Sequence, residues 1–391
     1  LIIAFSALLQ RIAMADVLFC AAFLAAVGFA QNLDSAFVGL NEQGNLLLQS
    51  PKDKDIVVDG VLFRTLLQRL EKLEQDNAEL TKRVETLEGQ SGGAAADGGV
   101  FIGDLTLSRR VDPWVMAELP RAAKHVGRLD LFQTDLTNGD VMDGFGNLTS
   151  IGGTLYVYIN NRLTNVDGFG NLTLVGGDLF IHNNHNLTNV GGFGNLTLVG
   201  GDLSIRDNNI LTNVDGFRNL HSVGENLIIH SNRNLTNVDG FGSLTSIGGD
   251  LNILSNVNLT SVNGFGSLTS IGGDLSISSN VNLTSVNGFR NLHSIGGKLH
   301  IASNDNLTHV DSFGSLTSIG GSLFISSNSN LTNLDSFGNL TSIGGTLSIS
   351  VGKLKATNCF PALKCRGRLD GTLGGCTAAA ESRLRALPLC V

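Results

Sequence analysis

Several residue types and patterns are scarce in this chain of 391 residues, and each scarcity excludes something. Lys and Arg total 26 against 34 Asp and Glu, the net charge is -8, and no basic run occurs. That balance argues against nucleic acid and anionic membrane surfaces as partners. Proline is rare, at 5 residues beside 49 glycines. With the apolar residues strictly placed, this fits a tightly turning repeat chain rather than disorder. No apolar run after residue 30 approaches the ~20 residues a membrane span needs, and the tail Leu384–Val391 is too short for a lipid-anchor signal. One Trp and two Tyr leave Phe as the main aromatic. No nucleophile–base–acid set stands out, so no enzyme and no cofactor is expected.

Cysteine is also sparse. Cys20 lies in the N-terminal apolar stretch, and Cys359, Cys365, Cys376 and Cys390 cluster at the other end. None of their spacings is the C-x2-C pair of a zinc site. In an oxidising compartment the four read as two disulfides closing an end cap, with three connectivities open. Export agrees with the start of the chain. Residues 1–30 read as a signal peptide: Val17–Ala30 is a short apolar run ending in small residues, with a cut after Ala30 and Met14 as a candidate start. The alternative is a retained membrane anchor.

What is present is a period. Phe145, Phe169, Phe193, Phe217, Phe241, Phe265, Phe289, Phe313 and Phe337 recur with a fixed 24-residue period, and the residues between them recur too. A fixed period in this range means a solenoid, each repeat one coil of a stack. Counted from the Phe, apolar residues fall at 0, +3, +6, +10, +12, +18 and +21. The Leu-x-Ile at +10 to +12 alternates as a half-buried strand does, and stacked coils would align these strands in parallel. Glycines at +7 and +8 place a turn just before the strand. At +15 stands an Asn row: Asn160, Asn184, Asn208, Asn232, Asn256, Asn280, Asn304 and Asn328. Its simplest role is a buried side chain bonding turn backbone in its own and adjacent coils.

The fold class expected is therefore mainly β, a parallel β-solenoid of about nine 24-residue coils over 145–351. Residues 100–144, with a strand-like VFIGDLTL and a helix near Pro113–His125, would cap one end, and the Cys-containing 352–391 the other. Residues 31–60 are weakly patterned, with a strand at Ile56–Val58. Over 61–88 a heptad appears: Phe63, Leu70, Asn77 and Val84 at a, Leu66, Leu73, Leu80 and Leu87 at d. Leu at d with one Asn at a is the pattern of a parallel two-stranded coiled coil, so the chain itself is an expected partner, as a homodimer. Residues 89–99 are a Gly-rich linker.

The coil spells L-x-I-x-x-N-x-x-L-x-x-V, close to the leucine-rich-repeat core. In its longer form, N-L-T-S-I-G-G-D-L-x-I-x-x-N-x-N-L-T-x-V-x-G-F, it resembles the receptor L-domain family, found in receptor ligand-binding lobes and fungal cell-wall proteins. The resemblance covers about Val126 to Ile349 and implies a right-handed β-helix related to leucine-rich repeats. It transfers no ligand residue by motif.

Function must be read from the outward strand positions, +11 and +13. Early coils place Tyr156, Tyr158, Phe180, His182, Arg206, Ile228 and His230 there; later coils turn mostly to Ser, Asn and Ala, with Leu254, His300 and Phe324 as exceptions. Aromatic, His and Arg residues on a rigid sheet resemble a binding hot spot; the alternative is drift on a solvated face. His182 and His230 lie two coils, roughly 10 Å, apart, too far for one metal ion. The acidic row at +9 (Asp178, Asp202, Asp250, Asp274) supplies one carboxylate per coil, too few for Ca²⁺. Ten sequons, at Asn147, Asn171, Asn186, Asn195, Asn234, Asn258, Asn282, Asn306, Asn330 and Asn339, would meet glycosylation on export. Neighbouring sequons one coil apart, ~5 Å, imply partial occupancy. The leading expectation is a secreted or cell-surface, non-enzymatic recognition or adhesion protein that binds protein or glycan. A structural subunit of a wall, matrix or appendage is the alternative. Ice binding is a minor one, on the Thr row at +19 (Thr164 to Thr332), weakened because no second aligned Thr row is expected.

Overall fold

The computed structural model describes residues 37–40, 46–49, 57–58, 61–62, 100–108, 123–353, 359–366, 368–369, 376 and 378–389. The chain divides into two compact units, Leu1–Gly93 and Ala94–Val391. In the first, Phe37–Leu40 pairs antiparallel with Leu46–Gln49, and Val57–Val58 with Val61–Leu62. The latter pair meets the strand expected at Ile56–Val58. The signal peptide of 1–30, the linker of 89–99 and the coiled coil of 61–88 lie outside the described residues, except that Val61–Leu62 are strand.

The second unit is a parallel β-solenoid of about ten turns with little helix. Its larger face is an 11-stranded sheet that starts with Leu105–Ser108, Leu129–Phe132 and Leu155–Tyr158, then adds one strand per repeat to Leu347–Ser350. Each pairing joins equivalent positions, Leu179 on Leu203 and Ile181 on Ile205 for example. A second, 12-stranded sheet runs from Val100–Ile102 through Ala123–Val126 and Ser150–Ile151 to Cys365–Arg366. The stack is thus longer than the nine Phe repeats. VFIGDLTL is not one strand but two, Val100–Ile102 and Leu105–Ser108, in different sheets. Ala123–His125, expected as the end of a helix, is strand instead. These early coils escape the repeat count because Leu129 and Leu155, partners in the sheet, are spaced wider than one period. This longer coil carries the eight-residue helix Asn138–Phe145, where the next has the 3-10 turn Asp167–Phe169. Its start is fastened by Asp140, whose carboxylate accepts the Thr137 backbone N–H at 2.6 Å and the Thr137 hydroxyl at 2.7 Å. Those bonds hold the Asp140 pKa below its ordinary value.

All seven apolar positions point inward. In one coil Phe193, Leu196, Val199, Leu203, Ile205, Leu211 and Val214 are each 0% exposed. The Phe rings stack face to face from Phe145 to Phe337, with centroids 5.1–5.7 Å apart. Phe360, beyond the last repeat, ends the ladder at 5.8 Å from Phe337. Burial of such rings supplies the largest apolar contribution per residue.

The Asn row at +15 is buried and structural. Asn232 donates its side-chain amide to the Ile205 carbonyl at 2.9 Å, and its Oδ1 accepts the Asn208 backbone N–H at 3.1 Å. Its own backbone N–H donates to Asn256 Oδ1 at 3.0 Å. The same triad of bonds repeats along the stack, and Thr134, which donates to Asn160 Oδ1, ends it. The residue just before each of these Asn adopts a left-handed backbone, with φ of 54–59° from Ile159 to Ser327. That turn aims the Asn inward. At +7, glycine is demanded by close approach: a Cβ on Gly272 would collide with the Gly248 carbonyl oxygen of the coil below.

One variable position chooses local structure. Where +20 is Asn (Asn165, Asn189, Asn213, Asn237, Asn333), its Oδ1 accepts the backbone N–H two residues on at 3.0–3.4 Å, and a 3-10 turn follows. Where it is Ser or His (Ser261, Ser285, His309), the segment is instead a strand of a third, three-stranded sheet.

At the C-terminal end, Cys359 is bonded to Cys376. Cys365 is disulfide-bonded as well, to a partner outside the described residues. Arg383, on the helix Ala378–Arg385, donates to the carbonyls of Cys359 and Phe360 at 2.8 and 2.7 Å.

Two Asn rows allow a direct comparison. Asn219 sits on the surface and donates to the Gly194 carbonyl at 2.7 Å. Asn219→Ala is expected to cost under about 1 kcal/mol, whereas Asn232→Ala leaves buried backbone groups unpaired and costs about 1–3 kcal/mol or more. Denaturant melts of the two variants check this; equal losses would contradict the buried-ladder assignment.

Candidate binding face

Alternation along each strand turns the +11 and +13 side chains outward. The in-register pairing then lines them up across the sheet. At +11 the run is Thr106, Asp130, Tyr156, Phe180, Ser204 and Ile228. At +13 it is Ser108, Phe132, Tyr158, His182, Arg206 and His230. All seven residues singled out in the sequence are half-buried on this face and are brought together at its N-terminal end.

The aromatic members and His182 contact one another. Phe132 stacks on Tyr158 at 5.3 Å, and Tyr156 lies against Phe180 at 4.8 Å. His182 meets Tyr158 edge-on at 6.5 Å and Phe180 at 5.3 Å. Arg128 lies over the Tyr156 ring at 5.0 Å and pairs with Asp130 at 2.9 Å. Sequence reasoning missed Arg128, Asp130 and the 39% exposed Phe132. Their signal was the Leu129-Asp-Leu131 spelling, a strand motif outside the 24-residue phase.

Ser204 was missed too. It is 1% exposed, and its hydroxyl bridges two neighbours. Arg206 Nε donates to Ser204 Oγ at 2.9 Å, and Ser204 Oγ lies 2.9 Å from His182 Nε2. Since Ser204 already accepts from Arg206, its own proton can go to a neutral His182. Burial, and then the nearby Arg206 charge, lower the His182 pKa to about 4. Ile159, which follows Tyr158, is β-branched at φ 56°, a conformation that costs of order 1–3 kcal/mol and is held by the packed coils around it.

Later coils show less. His300 meets Phe324 edge-on at 6.4 Å, and burial lowers the His300 pKa. Leu254 lies between His230 and Ser278 in the sheet register.

Residues 293–358 match the family model for the Receptor L domain. This stretch of the solenoid is similar to a receptor L domain. No curated protein and no solved structure matches the chain. The matched stretch covers the late coils of the solenoid, away from the aromatic cluster. No helix among the described residues is long and apolar enough to cross a membrane.

Other rows of the solenoid have structural duties. In the +9 row, Asp178 Oδ1 accepts the Asp202 N–H, Asp202 the Asn226 N–H, Asp250 the Asp274 N–H and Asp274 the Lys298 N–H, at 2.7–2.9 Å. Each carboxylate therefore caps the next coil. Thr hydroxyls at +19 donate to the Thr carbonyl of the coil below, as Thr188 does to Thr164 at 2.8 Å. A second aligned Thr row does exist, contrary to expectation: Thr149, Thr173, Thr197, Thr245, Thr269, Thr317 and Thr341 at +4, each donating to a carbonyl of the coil below, whether of Thr, His or Lys. Among the sequons, Asn171, Asn186, Asn195, Asn330 and Asn339 donate their amides to carbonyls of the preceding coil at 2.6–2.9 Å.

The depressed His182 pKa has a testable sign. The unfolded chain takes up this proton near the ordinary value of 6.5, the folded chain only near 4. The contribution to stability is therefore complete above pH ~6.5 and is lost as the pH falls toward 4. Thermal melts at steps between pH 7 and 4 should show a smaller decline for His182→Gln than for the wild type. An unchanged decline would mean that His182 titrates normally.

Proposed function

We propose that this protein is a secreted or cell-surface, non-enzymatic recognition protein that binds a protein or glycan partner through the N-terminal end of its outward sheet. One observation carries the reading. Large aromatic, His and Arg side chains occupy successive coils at +11 and +13, the aromatics and His182 touching one another, while later coils at the same positions carry mostly Ser, Asn and Ala. A repeat held only by its core has no need of such side chains outside. Rigid aromatics lose little side-chain entropy on binding and dominate interface energetics. The receptor L-domain match supports a ligand-binding, receptor-like role. That match and the Cys359–Cys376 disulfide are compatible with an extracellular or cell-surface location.

The heptad over 61–88 would join two copies, giving each surface avidity without a new contact. A right-handed, leucine-rich-repeat-like winding would accompany the family resemblance. The structural-subunit reading draws on the same regularity: near-identical coils with capped interiors suit a wall, matrix or appendage.

A protein and glycan array probed with the full chain tests the proposal. Saturable binding that weakens about tenfold or more in Tyr156→Ala with His182→Ala supports it. End-to-end association of the purified protein, with no saturable ligand, would favour the structural reading instead.

A further inference from the structure

We infer that Arg206 is the anchor of a carboxylate subsite, and that the partner presents an acidic side chain from a peptide segment laid across the outward sheet. This rests on the recognition reading above and names the chemistry of its partner.

The observations concern how Arg206 is held. Its Nε donates to the buried Ser204 hydroxyl at 2.9 Å, which fixes the plane of the guanidinium. The fork formed by its other two nitrogens has no partner among the described residues. None of their carboxylates lies within salt-bridge distance, although Asp207 is near enough to act electrostatically on His182. Two cations placed just before a strand of this sheet, unlike Arg206, are held in ion pairs. Arg128 is paired with Asp130 and Lys298 with Asp274. Arg206 is the one Arg or Lys at the +11 and +13 positions. A planar guanidinium whose orientation is already fixed matches a carboxylate bidentately, and loses little freedom when one docks.

Its neighbours point to a peptide rather than a sugar. A sugar ring would need an open aromatic face, and apart from the 39% exposed Phe132 these faces are used within the patch. Phe132 is stacked on Tyr158, Phe180 lies against Tyr156, and Arg128 lies over the Tyr156 ring. The ladder therefore offers ring edges, which carry partial positive charge and favour carbonyl and carboxylate oxygens. His182, buried beside a cation, stays neutral and does not compete for the anion. Ile228 and His230, one strand beyond Ser204 and Arg206, continue the surface with apolar area and a further polar group.

The test uses the full chain and two peptide arrays, identical except that a central Glu in one is Gln in the other, flanked by Tyr and Leu. Oligogalacturonate serves as the acidic-sugar probe. The wild type should bind Glu peptides about 10- to 100-fold more tightly than their Gln counterparts. Arg206→Gln should remove that preference, and Arg206→Lys, which keeps the charge without the fork, should restore only part of it. Tyr156→Ala should weaken both arrays alike. Peptide binding that depends on Tyr156 but is indifferent to Arg206→Gln would overturn the carboxylate subsite and leave recognition standing. Oligogalacturonate binding that depends on Arg206, without peptide binding, would overturn the peptide assignment. Absence of binding to all three probes would overturn the subsite outright.

Discussion

Register between coils is the constraint on which everything else depends. Parallel strands in a solenoid have no hairpin to fix their alignment, and a slip of one residue would turn every buried Leu and Ile outward. The Asn at +15 prevents the slip. Each of these side chains bonds backbone of the preceding coil, and the backbone N–H of each Asn donates to the side chain in the next, so neighbouring turns share one hydrogen-bonded seam. The carboxylates at +9 and the threonines at +4 and +19 repeat the device nearer the surface. Polar ladders set the alignment, and the Phe stack fills the interior that the alignment creates.

Fixed register has a functional consequence. It converts a change at one repeat position into a placed neighbour on the sheet. Tyr156 and Phe180 touch because Leu155 pairs with Leu179 and Val157 with Ile181. Ser204, small enough to be covered, lets His182 and Arg206 converge on its hydroxyl from two strands. A rigid, nearly identical scaffold thus carries a patch that differs from coil to coil, which is how repeat proteins separate stability from recognition.

Much of this was legible in the residues. The seven apolar positions, the Asn seam and the seven outward candidates could be read because a 24-residue period repeats each constraint. What escaped lay outside the period or in its exceptions. The wider spacing between Leu129 and Leu155 hid two coils, and with them Phe132, Arg128 and Asp130. VFIGDLTL looked like one strand because nothing local marks which sheet each half joins. The +9 carboxylates looked like isolated ligands, since their partners are backbone N–H groups one coil away and no side chain signals them. The Asn-to-Ser change at +20 is plain in the sequence, but only three-dimensional pairing shows that it exchanges a 3-10 turn for a strand.

Hydrogen exchange, resolved residue by residue, tests the central claim most directly. If the Asn seam locks the coils, the backbone amides of Asn184, Asn208, Asn232, Asn256 and Asn280 are all bonded to the next Asn and should be among the slowest to exchange. Protection should recur with the period of the repeat. Rapid exchange at these amides, in coils whose Leu-x-Ile strands remain protected, would contradict the account.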